Sequence, residues 1–122
     1  MTIGNIPKDD PPSSGILYII EMGLEEKKLV KVGVTCRTKV EDRITEILVS
    51  IWKRYRYFPH CYVKKFTKIK DVYEKEAEMH QRLVEYRYET EYQFSGCTEV
   101  FDLELDKVVE LYEEVVNRVS RE

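Results

Sequence analysis

No stretch of the 122-residue chain approaches the roughly 20 consecutive apolar residues that a helix needs to cross a bilayer, and the amino terminus lacks the basic-then-apolar layout of a secretory signal. These two absences point to a cytoplasmic protein with no membrane partner. Cysteine is scarce: Cys36, Cys61 and Cys97 are odd in number and widely spaced, which suits reduced intracellular thiols better than a disulfide framework. Zinc is disfavoured, because zinc sites in small domains use closely spaced ligand pairs, and the one close pair, His60 and Cys61, would point to opposite faces of a strand. A cysteine nucleophile would need a histidine placed beside it in space, and a buried inert thiol is the commoner outcome. Internal repeats and low-complexity segments are also missing. What remains is one ordinary globular domain, 43% apolar and 35% charged, long enough to bury a core without staples.

A net charge of -3 argues against nucleic acid only if it is evenly spread, and it is not. Residues 51–70 hold seven basic side chains (Lys53, Arg54, Arg56, Lys64, Lys65, Lys68 and Lys70) and no acidic one, whereas residues 71–122 hold six basic and fifteen acidic. The basic strip is interleaved with Trp52, Tyr55, Tyr57 and Phe58, a composition that suits a docked polyanion and equally suits a lysine-guarded sheet edge.

Pro7, Pro11 and Pro12 and the lack of apolar periodicity make residues 1–14 a flexible leader, with a single domain over 15–122. The runs Gly15–Met22 and Lys28–Val34 read as two strands of a hairpin. Thr38 and Glu41 form a capping box before a helix whose apolar positions run from Val40 to Ile51, ending near Trp52. A third strand spans Cys61–Phe66. A second helix follows the cap signal Asp71 and Glu74 and carries Ala77, His80, Leu83 and Val84 on one face to about Tyr88. A short extended segment over 99–103 and a helix from Asp106 complete the order β, β, α, β, α, short β, α. The fold class is α+β: a small central antiparallel sheet flanked by helices, with an added C-terminal helix.

Phosphodiester hydrolysis asks for a proton acceptor for water, cations against charge developing on phosphate, and a carboxylate holding a divalent metal. The chain carries these residue types in order, in GILYII, VKVGVT, EDRI, EKEAEMH and EVF. In this it resembles the compact phage-type branch of the GIY-YIG nuclease superfamily, whose members read roughly G-x-x-Y, V-K-I-G-x-T, an R-L helix, E-x-x-x-H and E-W-F. The resemblance implies a small Mg2+- (or Mn2+-) dependent DNA endonuclease. It places the strand tyrosine at Tyr18 (handling the proton of water), the phosphate-binding arginine at Arg43 and the metal-binding glutamate at Glu76. His80, one turn from Glu76, would approach the metal or carry a proton, or belong to the core.

The departures matter too. The strict motif puts tyrosine at position 17, where this chain has Leu17, so Tyr18 reaches the site only through a register shift or a bulge. Lys31 replaces the second motif's tyrosine and would contact phosphate or share proton transfer. Val34 stands where an arginine often follows, with Arg37 close enough to substitute. Arg37, Lys53, Arg54, Arg56, Lys64, Lys65 and Lys68 would hold the DNA. The competing reading is a degenerate member that keeps the fold and binds nucleic acid or a protein. Convergence of Tyr18, Lys31, Arg43 and Glu76 around one cleft separates the two. Whether chains pair as a homodimer to cut both strands is left open.

Overall fold

A computed structural model describes residues 14–117; residues 1–13, most of the expected leader, and 118–122 lie outside the described residues. Strand β1 (Gly15–Leu24) pairs antiparallel with β2 (Lys27–Thr35) through a turn at Glu25 and Glu26. Helix α1 (Val40–Tyr55) follows, then strand β3 (Cys61–Ile69), helix α2 (Val72–Arg82), strand β4 (Val100–Phe101) and helix α3 (Leu105–Asn117). Single 3-10 turns at Val84–Tyr86 and Cys97–Glu99 flank the loop between α2 and β4. The sheet is antiparallel with strand order β3-β1-β2-β4. The chain is thus the α+β architecture expected, in the order expected.

Helices cover both faces of the sheet. Leu17, Ile19, Val30 and Val32 pack against Val72, Met79 and Leu83 and against Val108, Tyr112 and Val115 of α3. Tyr18, Ile20, Met22 and Leu29 pack on the other face against Val40, Ile47 and Ile51 of α1. A central strand sandwiched in this way reads as a continuous apolar run, which is why Gly15–Ile20 shows no alternation. The C-terminal helix is tied to the sheet by Tyr112, whose hydroxyl donates to the Leu17 carbonyl at 2.7 Å.

Three local expectations need correction. Thr38 does not cap α1: Lys39 occupies the N-cap with an extended backbone and no side-chain cap bond, and Glu41 and Asp42 complement the helix dipole instead. Helix α2 stops at Arg82 rather than near Tyr88 because the following backbone is committed to β4. Tyr88 N donates to the Val100 carbonyl, and Asp102 N donates to the Tyr86 carbonyl. Val84 and Ala77, expected on the apolar face, are exposed. Finally, β3 runs three residues past Phe66; burial alternates along all of it, with Tyr62 and Phe66 on exposed positions and Lys65 and Thr67 on half-buried ones, and a bulge leaves Lys64 unpaired between the pairs Ile19–Lys65 and Ile20–Val63.

Candidate active site

Tyr18, Lys31, Arg43, Glu76 and His80 come together beside the β2–β4 side of the sheet. Register delivers the first two. Tyr18 lies directly across from Gly33, and strand alternation puts Lys31 on that same α1-facing side while Leu17 faces the opposite core. No slip of β1 is needed; the bulge is in β3. A β-carbon on Gly33 would sit 2.5 Å from Tyr18 Oη and 2.6 Å from Lys31 Nζ, so glycine leaves the space both groups fill.

Tyr18 and Lys31 are fully buried. A buried ammonium requires partners, and Lys31 Nζ donates to Tyr18 Oη at 3.2 Å and to Glu99 Oε1 at 2.5 Å. Arg43 also donates to Tyr18, and to Glu46 at 3.1 Å. Burial works against the guanidinium charge, but Tyr18 and Glu46 outweigh it and hold the Arg43 pKa above its ordinary value. Lysine and arginine only donate. The phenol's own proton is therefore left for a third partner.

Glu99, which opens the EVF stretch but is given no role by the sequence, joins this cluster to α2. One ligand atom each from Glu76, His80 and Glu99 lies within 4.8 Å of the others, a group able to hold a metal ion. Burial first, and the neighbouring Glu99 charge second, push the Glu76 carboxyl up to about 7, while Lys31 pulls the other way. The Glu76 and Glu99 carboxyl groups thus crowd one another at the edge of this cluster. His80 Nε2 is 3.9 Å from Glu76 Oε2 and donates to the Val32 carbonyl at 2.8 Å, beyond the last β2–β4 pair. In the neutral ring this leaves Nδ1 with the lone pair. Gly96 closes the cluster: its backbone is left-handed (φ 81°), and a β-carbon there would lie 2.5 Å from Lys31 Cε.

The basic residues expected to hold DNA do not form one surface. The β3 bulge turns Lys65 towards α3, where it pairs with Glu113 at 2.5 Å, and Lys64 is 3.8 Å from Glu21. Lys68, opposite Ile16, returns to the α1 side. Arg37 is ion-paired with Glu46. Lys53, Arg54 and Arg56 gather at the exposed end of α1. The three cysteines are unpaired, and burial raises the Cys61 thiol to about 11, which makes it a poor nucleophile.

Residues 15–119 match the T5orf172 domain. The chain belongs to the T5orf172 domain family. This corrects the resemblance to the GIY-YIG superfamily, because T5orf172 is a distinct family. The stretches behind that resemblance are each only three to seven residues long. A tyrosine facing a strand glycine and a glutamate one turn before a histidine fit more than one sheet-and-helix family. No curated protein and no solved structure matches the chain. T5orf172 domains are associated with nuclease-like function, which makes the role of this one nucleic-acid-related. No described helix is long and apolar enough to cross a membrane.

Proposed function

We propose that this T5orf172 domain hydrolyses DNA phosphodiester bonds with a divalent cation, Mg2+ or Mn2+, held by Glu76 and Glu99. The observation that carries the reading is Lys31, whose one ammonium contacts both Tyr18 and Glu99 and so joins the strand pair, Arg43 and the carboxylates of α2 and the β4 loop into one cluster. Two carboxylates close together beside an imidazole suit a hard cation with oxygen ligands, and the raised Glu76 carboxyl marks a place short of positive charge. The cation would polarise a phosphoryl oxygen and offset the charge developing there.

The protein's own groups divide the remaining work. Arg43, partly exposed at the rim, binds a phosphate oxygen and stabilises its growing charge. His80 Nδ1 accepts the proton of the attacking water, with the ring fixed through Nε2 on Val32. Lys31 balances the charge of Glu99. Tyr18 has no exposed surface, so in place of the proton-handling role implied by the family resemblance it positions Lys31 and Arg43 through its hydroxyl.

Supercoiled plasmid is the test substrate. Nicking should require Mg2+ or Mn2+, stop with EDTA, and be lost in Glu76→Gln, Glu99→Gln and His80→Ala. The rise in melting temperature on adding metal should persist in His80→Ala and vanish in Glu76→Gln. Cutting in EDTA, or parental activity in Glu76→Gln, would overturn the mechanism.

A further inference from the structure

The last turn of α1 carries a second polar and aromatic surface, half a turn around the helix axis from Arg43. Trp52 and Phe58 are stacked there with ring centroids 6.1 Å apart and planes 24° from parallel. They are nonetheless 38% and 60% exposed, so both rings offer surface to a ligand. The guanidinium of Arg56 lies 5.0 Å from the centre of the Trp52 ring. Arg56 itself sits in the left-handed region (φ 65°), a conformation that favours glycine at a helix C-terminus, and this places its cation beside the rings. Lys53 and Arg54 are exposed in the same turn, and no acidic residue occurs between positions 51 and 70.

We propose that this surface binds unpaired nucleotides of the DNA substrate, with bases stacking on Phe58 and Trp52 and phosphates meeting Arg56 and Lys53. Exposed rings set among cations complement a chain that has both flat apolar faces and negative charge, which is single-stranded nucleic acid. A duplex offers the same phosphates but hides its base faces inside the stack. An acidic protein would use the cations and leave the rings idle. The proposal takes from the reading above only that the substrate is nucleic acid.

Trp52 is the sole tryptophan, so its fluorescence reports directly on the surface. The full chain, in EDTA, is titrated with an oligothymidylate, a duplex of equal length and polyglutamate. Oligothymidylate should quench Trp52 strongly, and Phe58→Ala should weaken its binding roughly tenfold or more while duplex affinity stays within about twofold, since stacking on a lost ring is removed only from unpaired bases. Phe58→Leu, which keeps side-chain bulk and removes the π face, should behave like Phe58→Ala. Equal quenching by polyglutamate, no quenching by oligothymidylate, or the same loss on single strand and duplex would overturn the proposal. A chain that binds oligothymidylate and never nicks plasmid refutes the hydrolytic reading alone.

Discussion

With no cation bound, Glu76 should destabilise its own fold at neutral pH, and replacing it should stabilise the protein. The folded carboxyl is pushed up to about 7, against about 4.3 in the unfolded chain. Below pH 4 both states hold the proton and the residue is silent. Between about pH 4 and 7 the folded state retains a proton that the unfolded state has released, so stability falls as pH rises through this window, and above pH 7 the full penalty remains. A shift of that size corresponds to about 3–4 kcal/mol at most. The side chain is 17% exposed, so solvent screens part of this, and about 1–2 kcal/mol is the expected cost, or roughly 5 °C in melting temperature.

Glu76→Gln cannot titrate, and its amide still donates to Glu99. Urea or thermal denaturation in EDTA at pH 5 and pH 8 should therefore show the variant gaining on the parent as pH rises, and exceeding it at pH 8 by about 1–2 kcal/mol. Adding Mg2+ at pH 8 should stabilise the parent and leave the variant unmoved, because binding to the folded state alone raises stability by mass action. A variant less stable than the parent at pH 8 in EDTA, or parallel pH profiles, would show that burial beside Glu99 does not hold a proton on Glu76.

Two further substitutions probe the buried half of the cluster. Gly33→Ala drives a methyl to 2.5 Å from Tyr18 Oη and should cost about 1–3 kcal/mol by overpacking, read as a lower urea midpoint, together with loss of nicking; a melting curve like the parent's would mean the pair has room to move. Lys31→Met removes the cation on Glu99, so metal-induced stabilisation measured by thermal denaturation should begin at lower Mg2+ while nicking falls, and weaker metal binding would show that Lys31 organises the ligands more than it competes for them.

The elements were readable because their signals are local. Val30, Val32 and Val34 share a strand face, and Val40, Ile44, Ile47 and Ile51 share a helix face, whatever the rest of the chain does. The errors fall where distant backbone decides the end of an element. Helix α2 gives way after Arg82 to the pairing of residues 86–88 with β4, and β3 continues past Phe66 to Ile69 because Leu17, Ile16 and Gly15 of β1 go on pairing with it. Tyr18, Lys31, Arg43, Glu76 and His80 are singled out by short motifs, and facing direction alone misleads at Tyr18, which reaches the cluster without the register shift expected of it.

Glu99 stands in the EVF stretch without a role, and Gly96 is not singled out, because their place depends on contacts with residues far away in sequence; Lys31 and Glu99 are 68 positions apart. The loop that carries them is fastened at one end by Ser95 N donating to Ser50 Oγ at 2.8 Å and at the other by Glu25. The Glu25 carboxylate accepts from the hydroxyls of Tyr55 and Tyr88 and from Glu91 N. Yet Glu25 and Glu26 hold positive φ angles of 54° and 62° at a hairpin turn, where Asn-Gly would be relaxed. An asparagine at position 25 is too short, and a glycine has no carboxylate, to collect three donors from α1 and the loop. The strained turn and the late-arriving Glu99 are thus one feature. The hairpin accepts an unfavourable backbone so that its tip can hold the loop that brings the second carboxylate to Lys31.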